Sequence, residues 1–164
     1  MRILALTSVV TLGIDQASKV FVLNGLDLLG KGFIDVLPPL LTFRLAWNKG
    51  VNFGLFSDES AALRWILIGL ALVISAVVAR WVSRMPGVWS QVFGGLVIGG
   101  AFGNALDRVL YGAVADFLNM SCCGLDNPYA FNIADVAIFV GVFGLVLFGG
   151  ENKSRSGGNG HEGA

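Results

Sequence analysis

Long apolar runs, separated by short polar segments, dominate the chain. A transmembrane α-helix needs about 20 mostly apolar residues to cross the hydrocarbon of a bilayer. Four runs approach or reach that length, at residues 3–23, 61–82, 88–106 and 133–148. The pattern therefore predicts a mainly α membrane protein with four transmembrane helices. The first run also has the basic start of a signal peptide, but it resumes after "DQASK" with "VFVL", which favours an uncleaved helix.

The segment between the first two predicted helices has a different pattern. Across residues 33–57, β-branched and aromatic residues form short runs that Pro38, Pro39 and Gly50 interrupt. Such runs, with turn residues between them, are typical of short strands. We therefore expect a small extracytoplasmic β-sheet that forms a cradle between the first and second helices, with its apolar face toward lipid or substrate.

Composition favours a membrane protein. Hydrophobic residues make up 55% of the chain and charged residues 13%, whereas soluble domains have about 25% charged residues. The net charge is zero, so no basic surface for nucleic acid is expected. Residues 1–150 are predicted to form a single integral membrane domain. The polar segment 151–164 is predicted to be a flexible cytoplasmic tail because it has too few apolar residues for a core.

The distribution of charge predicts the orientation. The short connection "RWVSRMPG" has two arginines and no acid, whereas the segments 24–60 and 109–130 contain most of the acidic residues. Because lysine and arginine are enriched in cytoplasmic loops, we place both termini in the cytoplasm. The predicted sheet then lies at the outer membrane surface.

Few residue types are left for catalysis. The single histidine, His161, lies in the polar tail, so a serine or cysteine nucleophile lacks a histidine base. Ser18 and Lys19 are neighbours that point about 100° apart on a helix, which disfavours a serine with a lysine base. Neither a metal site nor another cofactor is expected. Cys122 and Cys123 are adjacent, which is poor geometry for an ordinary disulfide, so they are expected to reflect local packing. Asp15 and Lys19 are spaced i, i+4 and are expected to form an internal ion pair.

Carboxylates remain as candidate catalytic groups. Asp116 follows the third predicted helix and Asp135 opens the fourth, so both can lie at the outer surface. Two close carboxylates share a proton, and such a pair can activate water and support an oxyanion, as in aspartyl peptide hydrolysis. A helix cap is the alternative role for Asp135. Asn104, Asp107 and Arg108 share one helix face and could equally form only an internal hydrogen-bonded network.

Five short blocks, in chain order, carry a family resemblance: "DQASK", "NKGVNFG", "GGAFGNALDR", "VADF" and "FNIADVAI". Together they resemble the signature blocks of the lipoprotein signal peptidases, also called signal peptidase II, over about residues 10–140. The resemblance implies an aspartyl endopeptidase of the bacterial inner membrane, with its active site at the periplasmic surface. It would remove the signal peptide from diacylglyceryl-modified prolipoproteins by cutting before the lipidated cysteine. Its partners would be these substrates and membrane lipid, and we expect a monomer.

Positions within the blocks imply roles for individual residues. The catalytic pair falls on Asp116 and Asp135. The positions that bind substrate or support the site fall on Asn48, Gly50, Asn104, Arg108 and Asn132, and the structural polar pair falls on Asp15 and Lys19. Lys49 departs from the family pattern, in which a small or uncharged residue is common. The loop "SCCGLDNPYA" matches no pattern that predicts how it would cover the site.

Two other classes of function fit parts of the pattern. Acids and arginines near membrane helices also build proton relays in transporters, although the acids here gather at the outer surface. A noncatalytic membrane interaction protein would use its glycine-rich helices for packing and its aspartates as helix caps.

Overall fold

The computed structural model describes residues 1–50, 61–122 and 127–148. Residues 51–57 of the expected strand-rich segment, Cys123 and the expected tail 151–164 lie outside the described residues. The described helices are α1 Arg2–Val20, α2 Leu28–Lys31, α3 Ala61–Val82, α4 Val88–Tyr111 and α5 Ile133–Phe148. A π-helical segment, Phe21–Gly25, continues α1. The first helical unit therefore runs slightly beyond the expected 3–23 at both ends.

Helix α4 is the centre of the bundle, because it packs against α1, α3 and α5. Glycines on α4 make these contacts very close. A Cβ added at Gly99 would lie 2.5 Å from the Ser8 carbonyl oxygen of α1, and one at Gly100 would lie 2.5 Å from the Ala134 carbonyl oxygen of α5. Small residues at helix interfaces allow such backbone approach, so α4 joins α1 and α5 without large side chains between them.

The long helices alternate in direction. The Met1 amino group donates to Gln91 Oε1 over 2.7 Å, so α1 and α4 begin at the same end of the bundle. Arg64, in the first turn of α3, lies beside Gly112, which follows α4. Helix α5 begins next to Asn104 in α4. The end of α4 and the starts of α3 and α5 are therefore at the opposite end of the bundle from Met1.

Helix α4 is longer than the expected span 88–106, and it ends at Tyr111. Gly112 terminates it in the left-handed conformation, with φ 81°, and its N–H donates to the Arg108 carbonyl oxygen. Glycine is favoured at this position because it has no Cβ to clash. The helix continues beyond the apolar run, and its last turns contain the polar residues Asn104, Asp107 and Arg108. The side chains of these residues have hydrogen-bond partners inside the protein.

A three-stranded antiparallel sheet covers this end of the bundle, with the order β1 (Phe33–Leu37), β2 (Leu41–Asn48) and β3 (Val114–Met120). The third strand corrects the expectation of a sheet confined to the segment between the first two helices. It follows α4 and pairs with β2, with Ala46 opposite Asp116. Phe117 of β3 packs with Leu23 and Leu28 in a buried cluster, which fixes the sheet to the end of the first helical unit.

Within residues 1–50, 61–122 and 127–148, two helical segments are long and apolar enough to cross a membrane by length and composition, Arg2–Gly25 and Ala61–Val82. Helix α5 is apolar but shorter, with 16 residues. On α3, large apolar side chains such as Trp65, Val73 and Val77 are exposed. An apolar surface of this kind is stable against lipid and costly in water.

We predict that Gly99→Ala destabilises the protein because the new methyl group would overlap the backbone of α1. Overpacking typically costs about 1 to 3 kcal/mol, and about 2 to 4 °C in unfolding temperature accompanies each kcal/mol for a chain of this size. Gly69→Ala is the matched control, since a Cβ there meets nothing within 4 Å. Thermal unfolding in detergent checks this. Equal unfolding temperatures for the two variants would contradict the close packing of α1 on α4.

Candidate active site

The two candidate catalytic aspartates lie on different elements at the sheet-covered end of the bundle. Asp116 is on β3 and is 3% exposed, and Asp135 is in the first turn of α5. Each oxygen of Asp116 accepts a hydrogen bond from a side-chain amide. Asn132 Nδ2 donates to Oδ1 over 2.6 Å, and Asn48 Nδ2 donates to Oδ2 over 3.0 Å. Asp116 is therefore buried but has donors on both oxygens.

Asn132 and Asp135 form a reciprocal cap at the start of α5. The Asp135 N–H donates to Asn132 Oδ1 over 2.9 Å, and the Asn132 N–H donates to Asp135 Oδ2 over 3.2 Å. This is the capping-box arrangement, with aspartate in place of glutamate. The other oxygen of Asp135, Oδ1, accepts from Asn104 Nδ2 over 2.8 Å. The cap that was an alternative role for Asp135 is present, and it uses only one of the two carboxylate oxygens.

A chain of amide groups connects the two aspartates. Asn132 Nδ2 donates both to Asp116 and to Asn104 Oδ1, the latter over 3.1 Å. Asn104 in turn donates to Asp135. Because an amide side chain has two N–H donors and one carbonyl acceptor, this chain fixes the orientation of both asparagines. The carboxylates therefore occupy one hydrogen-bonded cluster with defined donors.

Burial raises the pKa of Asp116 from 3.8 to about 6, and the nearby charge of Asp135 adds to this effect. Hydrogen bonds from Asn48 and Asn132 and the charge of Lys19 act in the opposite direction. Removing a carboxylate from water disfavours its charged form, and a second negative charge disfavours it further. Asp116 thus retains a proton at a pH where an exposed aspartate is ionised.

Arg108 and Gly50 border this cluster. Arg108 Nη1 donates to the Asn104 carbonyl oxygen over 3.2 Å, and its buried Nε has no hydrogen-bond partner in the part of the chain that the structure describes.

The Gly50 N–H donates to Asn48 Oδ1 over 3.0 Å, which orients the amide that reaches Asp116. Gly50 has φ 103°, and an added Cβ would lie 2.7 Å from Leu67 Cδ1. A larger residue at position 50 is therefore disfavoured both by the backbone conformation and by the contact with Leu67.

The predicted pair of Asp15 and Lys19 is part of a larger buried cluster. Lys19 Nζ lies 2.7 Å from Asp15 Oδ2 and also 2.7 Å from Asp107 Oδ2. Gln16 Nε2 donates to both acids. The expected ion pair of Asp15 and Lys19 is confirmed, and Asp107 joins it as a third charged member. Asp107 contacts Lys19 and Gln16 of α1, so the suggested local network with Asn104 and Arg108 does not describe its contacts. The sequence pattern did not reveal Asp107 as a partner of Lys19, because only the packing of α1 on α4 brings the two side chains together.

The segment that leads into α5 is anchored by a residue that the sequence did not single out. Buried Asn119 of β3 donates from Nδ2 to the carbonyl oxygens of Asn127 and Tyr129, over 2.7 and 2.8 Å. Phe131 then pairs with Leu118. Cys122, in the same region, is disulfide-bonded, which corrects the expectation that the adjacent cysteines reflect only packing. These contacts deliver Asn132 to the site.

Comparisons with known proteins identify the family. A family model described as signal peptidase (SPase) II matches residues 7–149. The chain belongs to the signal peptidase II family. Two relatives named "Lipoprotein signal peptidase" are each 40% identical to it. The one from Methylobacterium sp. (strain 4-46) aligns over 86% of this chain and 84% of its own length. The one from Rhodopseudomonas palustris (strain ATCC BAA-98 / CGA009) aligns over 89% and 90%.

Two solved structures, each described as a bacterial membrane enzyme, have a similar fold. One has a TM-score of 0.74 and 26% identity, and the alignment covers 90% of this chain and 92% of that one. The other has a TM-score of 0.71 and 24% identity, covering 96% and 93%. The helices and sheet described above are therefore an architecture found in bacterial membrane enzymes.

We predict that Asn48→Leu raises the pKa of Asp116 above its wild-type value of about 6. The substitution removes a hydrogen bond that favours the ionised form of Asp116. The leucine side chain still fills the space of the asparagine. The chemical shift of the Asp116 carboxyl carbon, followed by NMR across the pH range, reports this pKa. Asn24→Leu makes the same change at an exposed position and should leave the titration unchanged. An unchanged or lowered value in Asn48→Leu would show that this hydrogen bond does not stabilise the carboxylate.

Proposed function

We propose that this member of the signal peptidase II family is a membrane-embedded aspartyl endopeptidase. It removes the signal peptide from diacylglyceryl-modified prolipoproteins by cutting before the lipidated cysteine. The observation that carries the proposal is the cluster in which Asn132 and Asn104 connect Asp116 to Asp135. The substrate class rests on the relatives named "Lipoprotein signal peptidase". No cofactor and no nucleic acid takes part.

The proposed mechanism uses one ionised and one protonated carboxyl group. The raised pKa of Asp116 makes it the group that keeps the shared proton, and Asp135 is then the base. Water attacks the scissile carbonyl carbon and gives a proton to Asp135, while Asp116 donates its proton to the carbonyl oxygen. When the tetrahedral intermediate collapses, the C–N bond breaks. Asp135 then returns a proton to the leaving amine and Asp116 recovers its own.

Neighbouring groups have supporting roles in this proposal. The buried Nε of Arg108 has no partner among the described residues, so it is available to donate to a substrate carbonyl oxygen. An ionised donor makes a stronger hydrogen bond than a neutral one. Asn48 and Asn132 hold Asp116, and Asn104 holds Asp135, so the acids keep their positions before substrate binds.

The proposed setting is the bacterial inner membrane, with α1, α3, α4 and α5 as four crossings and with the sheet at the periplasmic surface. We propose that both termini lie in the cytoplasm, and the opposite directions of α3 and α4 and of α4 and α5 support this. A diacylglyceryl-modified substrate is itself held in the bilayer, and extracting it would cost about 0.8 kcal/mol for each exposed methylene group. A site at the end of the bundle cuts such a substrate where it lies. We propose that the enzyme acts as a monomer.

A noncatalytic membrane protein is the rival that the structure itself suggests, because Asp135 caps α5. A proton-coupled transporter is the other rival, since it also uses acids in membrane proteins. Both rivals predict that no peptide bond is cut. Asparagine is a good capping residue, so a purely capping Asp135 would tolerate Asn, whereas a proton-sharing pair would not.

We predict that purified protein in detergent cleaves a diacylglyceryl-modified prolipoprotein and leaves the unlipidated precursor largely intact. Asp116→Asn and Asp135→Asn should each lower kcat by more than about 100-fold, since acid–base catalysis supplies at least that factor. Both should remain folded, as judged by thermal unfolding. Asp35→Asn, at an exposed aspartate of β1, is the matched control and should retain activity. Cleavage by either site variant at near the wild-type rate would falsify the assignment of the pair.

We predict that kcat/KM falls as the pH rises through about 6. The alkaline limb should lie near pH 6, because Asp116 loses its proton as the pH rises through its pKa of about 6. Asn48→Leu should move the alkaline limb to higher pH. Initial rates at low substrate concentration measure this profile, and a profile that is flat from about pH 5 to about pH 8 would contradict the shared proton.

A further inference from the structure

The described helices contain three buried charged side chains that the proposed mechanism does not use. Asp15 and Lys19 of α1 and Asp107 of α4 are 0%, 3% and 0% exposed. Lys19 Nζ lies 2.7 Å from a carboxylate oxygen of each acid. We call these three residues the ionic cluster. It sits where α1 crosses α4, and Gly103 makes room for it, because a Cβ there would lie 2.6 Å from Asp15 Oδ2.

The two acids of the ionic cluster also bind backbone amides. The Ala115 N–H donates to Asp107 Oδ2 over 3.1 Å, and the Ala134 N–H donates to Asp15 Oδ1 over 2.9 Å. Ala115 directly precedes Asp116, and Ala134 directly precedes Asp135. Each acid therefore anchors the backbone immediately before one member of the candidate catalytic pair. Lys19 connects the two anchors through one ammonium group.

The energetics of burial favour a role of the ionic cluster in positioning the backbone over a role in stabilising the fold. Taking three charges out of water is expensive, and replacing a buried ion pair by well-packed apolar residues is often neutral or stabilising. Apolar packing would, however, give no directional contact to the two amides. Hydrogen bonds to charged acceptors are short and have a defined direction. The cluster thus supplies two fixed points on β3 and α5 that apolar side chains would not supply.

We propose that Asp107, together with Lys19 and Asp15, is a positioning device that fixes the backbones of β3 and α5 at the separation the catalytic pair requires. This inference rests on the proposed function, because it assigns the device to that reaction. Asp107 touches no reacting atom and is therefore a positioning residue. A small displacement of a reacting group can cost about 100-fold in rate, so the fixed separation has a direct kinetic consequence.

The test uses Asp107→Asn in the full-length protein with a lipidated prolipoprotein substrate. Asparagine has a similar shape but no charge, so the contacts that Ala115 N–H and Lys19 Nζ make with Asp107 Oδ2 lose their ionic character and weaken. We expect kcat to fall about 10-fold to 100-fold while KM changes less than about 3-fold, because substrate binding is not altered. Gln16→Met is the matched control. It removes donors to the same acids and leaves both amide anchors, so it should retain kcat within about 3-fold.

A second variant tests whether a loss of activity could come from misfolding. In the double substitution Lys19→Gln and Asp107→Asn, one positive and one negative charge are removed together, so the net charge of the cluster is unchanged. We expect the same loss of kcat with KM preserved. If either variant has wild-type kcat for each folded molecule, as judged by thermal unfolding, the ionic cluster is merely structural and the inference is overturned.

Amide hydrogen exchange separates this inference from the proposed function. Asp107→Asn should speed exchange of the Ala115 amide by about tenfold or more, Asp15→Asn should do so for Ala134, and Gln16→Met should change neither. Unchanged exchange at Ala115 in Asp107→Asn would overturn the inference whatever the activity. Failure of the wild type to cleave the lipidated substrate would refute the proposed function, and faster exchange would then still establish the two anchors as a property of the fold.

Discussion

The constraint on which this end of the protein depends is the cost of burying carboxylates in an apolar bundle. A buried charge is tolerated only when donors surround it, and each of the four acids here has such donors. Asp15 and Asp107 receive Lys19 and backbone amides. The other two acids, Asp116 and Asp135, receive asparagine amides. The two sets of donors differ in charge, since Lys19 places a full positive charge beside Asp15 and Asp107, whereas the asparagine amides beside Asp116 and Asp135 are neutral.

The glycines of α4 make this distribution of donors possible. Because Gly99 and Gly100 bring α1 and α5 within backbone contact of α4, the side chains of three helices reach one another at the end of the bundle. Gly103 leaves the space that Asp15 occupies. Larger residues would separate the helices, and the acids would then face lipid or water instead of their donors. The same helix, α4, therefore provides both the close helix packing at Gly99 and Gly100 and the space for a buried acid at Gly103.

The parts of this design that follow local patterns could be predicted from the sequence. Apolar runs located the long helices, and the elimination of other nucleophiles left Asp116 and Asp135 as candidates. Strand β3 was missed because "VADFLNM" is short, and its partner β2 lies far away in the chain. The contact between Lys19 and Asp107 was missed for a similar reason, since spacing within one helix favoured local partners. Long-range pairing depends on how helices pack, which a single sequence pattern does not specify.

The cap at Asp135 is compatible with the proposed catalytic role of that residue, and the energetic cost of the proposed pair falls mainly on Asp116. The cap occupies Oδ2 of Asp135, and Oδ1 faces Asn104. For Asp116, a folded-state pKa raised from 3.8 to about 6 means that protonation contributes stability fully below the unfolded value. That contribution disappears as the pH rises through the folded value. The shift corresponds to at most about 3 kcal/mol, so above pH 6 the fold bears the cost of a buried, ionised Asp116. The donors from Asn48 and Asn132 limit that cost without abolishing the raised pKa, and the proposed acid role of Asp116 depends on that raised pKa.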